Sequence, residues 1–357
     1  MKFGVPYLMS NRTTQGLEQF SDDLLISAEL LLGRRADQFE RISGSGNNGV
    51  YKVLSGKDMF ALKFYRQDPG DDRDRLGTEV AALQFMQGNA IKNVPTPIAH
   101  DVTANCALFQ WVSGTPIISP DETHFKAATH FADQLFGLSG PSQTAQWKLA
   151  SDACLSLSDV TRQTAARLDR FHGMENLSPE CAKFIETEFQ PSCDEIFDRQ
   201  LEKADQLGIE PESALQLQAH ILSPSDFGFH NALQTSSGEI VFLDFEYFGR
   251  DAPFKLICDF VLHPGMNLPE SSWRSVIDGF SQIYRLNRQE RHQVTNALPL
   301  FALRWCMIML NVYLRHNADI GLAEADQANL EKFRKMRLKN TRIMLERAQS
   351  LARSNPF

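Results

Sequence analysis

Two neighbouring segments, Leu222-Ser-Pro-Ser-Asp-Phe-Gly-Phe-His-Asn231 and Glu239-Ile-Val-Phe-Leu-Asp-Phe-Glu246, carry the strongest signal in this chain. The first places Asp226 and Asn231 among turn-forming residues. The second is a short apolar strand that ends abruptly in Asp244. A hairpin between the segments is therefore expected to bring these three oxygen donors to one end of the fold. Phosphoryl transfer from a nucleotide needs such a set, because one carboxylate orients the substrate hydroxyl while an amide and a carboxylate hold Mg²⁺.

The composition is that of an ordinary soluble globular protein. The 357 residues are 43% hydrophobic and 22% charged, which predicts one large or two modest domains. Six cysteines are scattered without a C-x-x-C pair, so we expect reduced thiols in a cytoplasmic protein, with neither a disulfide framework nor a zinc site. The net charge of −8 argues against a nucleic-acid partner. The sequence leaves the oligomeric state open.

No segment predicts an association with a membrane. The apolar segment at 301–314 is too short and too polar at its flanks to span a bilayer, so a buried helix is expected there. Residues 1–6 begin no sustained apolar run and no small-residue cleavage site follows, so we expect no signal peptide.

Residues 1–34 are interpreted as an N-terminal extension that ends in a helix. Ser21 is suited to the N-cap of this helix, and leucines and alanines follow at helical spacing. The apolar face predicts packing on the next domain, although a contact with a second copy of the chain would explain the same pattern.

A glycine-rich segment lies between two predicted strands. Residues 44–49 read Gly-Ser-Gly-Asn-Asn-Gly, which fits G-x-G-x-x-G, but the pattern alone is weak because glycine-rich hairpin turns are common. A dinucleotide-binding fold requires a helix after the glycines. Here Val50-Tyr-Lys-Val-Leu54 follows, and its β-branched and aromatic residues predict a strand. Further strands are expected at 39–42 and 59–65.

Lys63 and Glu79 form the next pair of candidate site residues. In the predicted strand Phe60-Ala-Leu-Lys-Phe-Tyr65, Lys63 shares a face with the small Ala61, although a strand lysine can also extend to solvent. A helix is expected at 72–86, with Glu79 on or beside its apolar stripe. A carboxylate facing a packed surface requires a cation, which Lys63 would supply unless Glu79 lies at the solvent edge.

The order of these motifs resembles that of protein-kinase-like enzymes, which have a glycine loop, a strand lysine, a helical glutamate, D-x-x-x-x-N and a strand ending in aspartate. The match is better to the aminoglycoside phosphotransferase and choline kinase group, because Asp244-Phe-Glu246 gives D-x-E in place of D-F-G. The chain departs from that group at Pro224, where a histidine is usual. The resemblance implies an α+β fold with a small β-rich N-lobe at 35–112 and a large, mostly helical C-lobe at 113–357.

The resemblance also implies roles in the N-lobe, with ATP as the phosphoryl donor. Lys63, held by Glu79, would bind the α- and β-phosphates. A hinge after a strand near 106–112 would present the Gln110 C=O and the Val112 N–H to adenine, with Phe109 at the back of the pocket. The glycine loop would cover the phosphates through Gly44, Ser45, Gly46, Asn47 and Asn48.

In the C-lobe, the resemblance makes Asp226 the residue that orients the acceptor hydroxyl and accepts its proton late. Asn231 and Asp244 would be the Mg²⁺ ligands. Asp259 is expected to brace the catalytic loop by hydrogen bonds, and His230 either touches the substrate or makes a structural hydrogen bond. Helices are expected at 121–137, 144–173, 180–207, 212–220, 253–262, 270–284, 288–315 and 322–352.

The acceptor is expected to be a small molecule, namely a sugar, an amino sugar or an amino alcohol. Only eight residues separate Asp244 from Pro253, too few for the activation segment that serves protein substrates. The segment 175–215 holds eleven acidic and three basic residues, which either attract a cationic acceptor or form a solvated surface. Two other functions stay open: a catalytically silent kinase fold used as a binding protein, and nucleotidyl transfer on the same fold.

Overall fold

The computed structural model describes residues 22–42, 49–67, 71–174, 177–266, 268–314 and 327–354. A small antiparallel sheet comes first, and a larger, mainly helical part follows it. The α+β class, with a small β-rich N-lobe and a helical C-lobe, is thereby confirmed. Ser21 and the glycine-loop residues 44–48 lie outside the described residues.

The sheet of the N-lobe has five antiparallel strands, named β1 (Gln38–Arg41), β2 (Gly49–Ser55), β3 (Asp58–Phe64), β4 (Pro97–Asp101) and β5 (Cys106–Gln110). Their spatial order is β1-β2-β3-β5-β4. Helix α2 (Arg75–Gly88) lies between β3 and β4 in the chain. The Asp74 side chain caps its N-terminus by accepting a hydrogen bond from the Gly77 N–H.

Helices cover both faces of this sheet, as β5 illustrates. Cys106 and Leu108 pack in a cluster with Leu24 and Ala28 of helix α1 (Asp22–Leu32). Ala107 and Phe109, which point the other way, join the cluster that contains the buried side chains of α2. The α1 helix therefore packs on the N-lobe, as its apolar face predicts.

The C-lobe is built from helices around a long central one. These are α3 (Glu122–Gly137), α4 (Pro141–Thr144), α5 (Leu157–Asp169), α6 (Pro179–Phe184), α7 (Gln190–Gln206), α8 (Pro253–Leu262), α9 (Glu270–Ile283), α10 (Arg288–Leu314) and α11 (Gln327–Arg353). Helix α10 packs against α5, α7, α8 and α11. Among the described residues it is the one helix long and apolar enough to cross a membrane, and most of that apolar window is buried inside the lobe.

Two of the predicted helices were wrong. A helix was expected across 144–173, but α5 begins only at Leu157, because Ser156 and Asp159 form a capping box that starts it there. Earlier in this range the chain makes an isolated parallel β-bridge, in which the Ala150 N–H donates to the Arg250 C=O at 3.0 Å. A helix was also expected at 212–220, where the described structure has a single 3₁₀ turn at Leu217–Ala219.

Short strands position the loops of the C-lobe. Strand β7 (Ile221–Ser223) pairs with β10 (Gly249–Asp251), and the chain between them carries both the D-x-x-x-x-N and the D-x-E motif. Strands β6 (Thr115–Pro116), β8 (Ala232–Gln234) and β9 (Ile240–Phe242) form a second small sheet. The D-x-x-x-x-N segment therefore follows β7, and Asp244 follows β9.

Candidate active site

Asp226 and Asn231 meet in a tight loop between β7 and β8. The Asn231 amide donates to the Asp226 backbone C=O at 3.1 Å and approaches its carboxylate Oδ2 at 3.3 Å. The Leu243 N–H donates to the Asn231 C=O at 2.8 Å, so the end of β9 is fastened to the same loop. This bond brings Asp244 beside Asn231, and the three predicted oxygen donors lie in one region.

Asp244 projects from a sharp turn after β9. Its φ of 65° is left-handed, a conformation that aspartate tolerates better than most side chains because its short polar side chain makes local hydrogen bonds. About one third of the side chain is exposed. The Lys63 Nζ lies 2.6 Å from Asp244 Oδ1, although 181 positions separate the two residues in the chain.

Lys63 is the centre of a buried cluster that joins the two lobes. Its Nζ lies 2.6 Å from Glu79 Oε2 and 3.1 Å from Glu246 Oε2. Glu79 also accepts from the Tyr65 hydroxyl at 2.7 Å and from the Phe245 N–H at 3.2 Å. Glu79 thus faces the packed interior and not the solvent edge, and Lys63 does not extend to solvent.

This cluster contains more negative than positive charge. Burial lowers the pKa of Lys63, but Asp244, Glu79 and Glu246 together raise it well above its usual value. Burial also raises the pKa of Asp244 to about 7, with Lys63 opposing and the two glutamates adding to the increase. Glu246 also lies 3.8 Å from the buried Arg75 guanidinium, so the three carboxylates share two cations, and the remaining negative charge favours a further cation at this place.

The side chains present fit a magnesium ion. The Asn231 amide nitrogen is engaged by Asp226, which leaves its Oδ1 as the amide atom available for a ligand. Asp244 supplies an anionic oxygen beside it. Mg²⁺ prefers such oxygen donors and usually takes only one or two from the protein, the rest coming from water and phosphate.

Lys255 in α8 supports the loop that carries Asp226 and Asn231. Its Nζ donates to Ser225 Oγ at 3.1 Å and lies 3.3 Å from Asp251 and 3.2 Å from Asp259. The Ser225 hydroxyl in turn donates to the Ser151 C=O at 2.9 Å. The loop therefore has a buried support on the residue between Pro224 and Asp226.

Asp259 acts less directly than predicted. Among the described residues its carboxylate receives the Arg304 guanidinium at 3.1 Å and the Trp305 indole N–H at 2.9 Å, as well as Lys255. It therefore reaches the loop through Lys255 and not through a hydrogen bond of its own. The role of Asp259 was expected from the family resemblance, which does not indicate that Lys255 lies between it and the loop.

We expect the variant Lys255→Met to lose about 3 kcal/mol of unfolding free energy, because it leaves the buried Asp251 carboxylate without its cation and leaves Asp259 with Arg304 as its remaining cation. Burial already raises the pKa of Asp251 to about 6. The double variant Lys255→Met/Asp251→Asn should regain part of the loss. Urea unfolding measures both. Lys126→Met, on an exposed lysine, is the control and should change stability by less than about 0.5 kcal/mol. Equal stability of single and double variants would contradict the brace.

The hinge residues stay predictions. Phe109 pairs with Ala61 across β5 and β3, so both lie in the sheet beside the Lys63 strand. The Gln110 N–H donates to the Thr96 C=O at 2.8 Å, and β5 ends at this residue. Val112 follows the strand end. The glycine-loop residues 44–48 lie outside the described part of the chain, and their role is likewise a prediction.

Sequence reasoning missed two residues of the site. His263, at the end of α8, lies 3.7 Å from the Asp226 carboxylate, and no spacing along the chain indicated this contact. Glu246 was quoted only as part of D-x-E, yet it is buried against Lys63. Its position two residues after Asp244 was the available signal, since the turn at Asp244 places both carboxylates on the lysine.

The acidic segment behaves as a solvated surface. The helical acids at its centre are all exposed: Asp194, Glu195, Asp198, Glu202 and Asp205. Helix α7, which carries them, packs its opposite side on α10 and α11. This arrangement favours the solvated interpretation over attraction of a cationic acceptor.

No protein-family model and no curated protein matches the sequence. Solved structures do resemble the chain. Choline kinase LicA from Streptococcus pneumoniae has a TM-score of 0.57 at 13% identity, over 91% of this chain and 98% of that one. The AMP-bound spectinomycin phosphotransferase APH(9)-Ia gives 0.61 at 13%, over 94% and 98%. Plasmodium vivax ethanolamine kinase gives 0.54 at 12%, over 90% and 84%.

The chain has the fold of these small-molecule kinases. The expectation drawn from the order of the sequence motifs is therefore confirmed for the fold, over nine-tenths or more of the chain in each comparison. At such low identity the likeness concerns the fold alone, because one fold carries many chemistries. In this kinase fold, the Lys63 cluster and the Asp226 loop lie where the two lobes meet.

Proposed function

We propose that the protein is an ATP- and Mg²⁺-dependent phosphotransferase that moves the γ-phosphoryl group to a hydroxyl of a small molecule. The observation that supports it best is the contact of Lys63 and Glu79, from the N-lobe, with Asp244 beside the Asp226–Asn231 loop. This is the complete set of charged side chains that phosphoryl transfer in a kinase fold requires. None of them is replaced by a residue that lacks the needed chemistry.

In the proposed reaction Lys63 binds the α- and β-phosphates, and Glu79 keeps its ammonium group in place. Asn231 and Asp244 would hold the Mg²⁺ ion, which neutralises charge on the phosphates when bound. The glycine loop at 44–48 and the hinge at Gln110 and Val112 would complete the ATP site. Positioning of the two reactants supplies most of the rate, because the transition state of phosphoryl transfer is loose.

Asp226 receives the acceptor hydroxyl in this mechanism. Burial raises its pKa, but the contacts with His230 and the Asn231 amide outweigh burial and hold the pKa well below the usual range of a carboxyl group. Asp226 is therefore a carboxylate at neutral pH. It orients the hydroxyl by accepting its hydrogen bond and takes the proton late, when the bond to phosphorus has largely formed.

The chain between Asp244 and α8 supports a small acceptor. It contains β10, which is paired with β7, and continues directly into α8 at Pro253. This short, paired segment has no free length on which an extended peptide substrate would dock. A sugar, an amino sugar or an amino alcohol is the acceptor class that we propose, in a cytoplasmic enzyme that needs no nucleic acid or membrane.

A screen of hydroxylated metabolites with ATP and Mg²⁺ tests the proposal. We expect one class of acceptor to gain the mass of a phosphoryl group while ADP is released. A gain corresponding to a nucleotidyl group would replace the proposal with nucleotidyl transfer. ATP binding by calorimetry without any product would favour a kinase fold that serves only for binding. Omission of Mg²⁺ is the control and should abolish product formation.

A further inference from the structure

Two histidines lie against Asp226, and the proposed reaction does not by itself require them. The His230 Nε2 is 2.9 Å from Asp226 Oδ1, and the His263 Nε2 is 3.7 Å from the same oxygen. Their rings are stacked, with centroids 3.6 Å apart and planes 11° from parallel. They come from different elements, because His230 lies in the 3₁₀ turn Phe229–Asn231 and His263 ends α8.

The hydrogen bonds around His263 fix its tautomer. The Gly265 N–H points at His263 Nδ1 at 3.0 Å, so this nitrogen accepts and carries no hydrogen. Burial and the neighbouring His230 lower the pKa of His263 to about 3, against the opposing effect of Asp226, so the ring is neutral at physiological pH. A neutral ring with a bare Nδ1 has its hydrogen on Nε2, the atom that faces Asp226. The Trp305 ring packs edge-on against the His263 ring, with ring centroids 4.6 Å apart.

His230 presents the same atom to the carboxylate. A carboxylate oxygen accepts in such a contact, so the 2.9 Å distance to Oδ1 assigns the ring hydrogen to His230 Nε2. The other nitrogen, His230 Nδ1, is buried and has no hydrogen-bond partner among the described residues. The His230 N–H is therefore hydrogen-bonded to Oδ1, while the His263 Nε2 lies 3.7 Å from the same oxygen, beyond hydrogen-bond length. Among the described residues, Oδ2 has the longer 3.3 Å contact from the Asn231 amide.

We propose that His230 and His263 are positioning residues for the Asp226 carboxylate: His230 donates to Oδ1, the stacked ring of His263 keeps the His230 ring in place, and Oδ2 is left for the acceptor hydroxyl. The inference rests on the proposed function. The histidines would support the loop at the Asp226 side chain, while Lys255 supports it at Ser225. A carboxylate held at both sides keeps one orientation, and misplacement by about 1 Å can cost on the order of 100-fold in rate.

The same three side chains could be taken for a metal site, since their ligand atoms lie within 4.8 Å of one another. The geometry argues against it. A metal would need the lone pair of His263 Nε2, but the Gly265 N–H occupies Nδ1 and leaves the ring hydrogen on Nε2.

The first experiment compares leucine and glutamine at each position, because the glutamine amide nitrogen can replace the Nε2 donor and leucine cannot. We expect His230→Leu to lower kcat, on the best acceptor from the metabolite screen, by about 10- to 100-fold, with KM for ATP within about twofold. His230→Gln should recover most of that loss. His263→Leu and His263→Gln should show the same order with smaller changes. His172→Leu, on a half-exposed histidine, is the control.

The second experiment uses ¹⁵N NMR, without nucleotide or acceptor, to determine which ring nitrogens of His230 and His263 carry hydrogen. We expect hydrogen on Nε2 and none on Nδ1 of His263. Hydrogen on Nδ1 of His263, or equal kcat of the leucine and glutamine variants of His230, would overturn the inference. A wild-type protein that phosphorylates nothing would overturn the proposed function and this role with it, while the NMR result still decides the ring arrangement. Parallel losses of kcat and ATP affinity would reduce the histidines to a purely structural role.

Discussion

Asp226→Asn should bind ATP like the wild-type protein and lose about 10²- to 10⁴-fold in kcat, the range that a positioned acid–base group contributes. The amide keeps the size of the carboxylate but cannot accept the proton of the hydroxyl. It also removes the negative charge that the His230 N–H faces, although the amide oxygen can still accept that hydrogen bond. Steady-state kinetics with the acceptor from the screen give kcat, and calorimetry gives the ATP affinity.

The matched control for this variant is Asp205→Asn, on the exposed face of α7. It makes the same chemical change far from the catalytic loop and should leave kcat unaltered. An Asp226→Asn protein that keeps more than about a tenth of the wild-type kcat would show that another group handles the hydroxyl proton.

Asp244→Ala should abolish the magnesium dependence of nucleotide binding. It removes the only anionic ligand of the proposed pair and leaves the neutral Asn231 amide. It also frees Lys63 from one of its three carboxylates. We expect the ATP affinity measured with Mg²⁺ to fall to the value measured without it, by calorimetry in the two buffers.

A second variant separates the ligand effect from backbone strain. The φ of 65° at position 244 suits asparagine better than alanine, so Asp244→Asn keeps the turn while it removes the charge. Both variants should lose the magnesium effect. If Asp244→Asn retains the wild-type difference between the two buffers, the metal assignment is wrong. Asp198→Ala, on an exposed residue, controls for the loss of a charge.

The fold could be predicted because local signals agreed with one another. The alternation in Phe60-Ala-Leu-Lys-Phe-Tyr65, the helical position of Glu79 and the turn before Asn231 each specify a short element, and their order along the chain specifies the kinase arrangement. The contact of Lys63 with Glu79 followed from the rule that a buried carboxylate needs a cation, and the structure contains it.

The contacts that could not be predicted depend on long-range packing. His263 meets Asp226 because α8 packs against the loop that carries Asp226, and no sequence pattern near position 263 indicates that packing. Lys255 is one residue in an apolar helix, so the spacing of the apolar residues did not indicate its three polar partners. The helix expected at 144–173 failed for a different reason, since the capping signal of Ser156 and Asp159 was overlooked within a longer helical pattern.

The attachment of α2 has a consequence for control of the protein. Glu79 is tied to Lys63, to Tyr65 and to the backbone of Phe245, so the helix that carries it is anchored in both lobes at once. Many protein kinases are inactive when the equivalent helix is displaced outward, and phosphorylation or a binding partner restores its position. In this structure those contacts hold α2 inward, and only eight residues lie between Asp244 and Pro253. Under the proposed function, we therefore expect the rate to follow the concentrations of the two substrates without a covalent modification or a partner that moves α2.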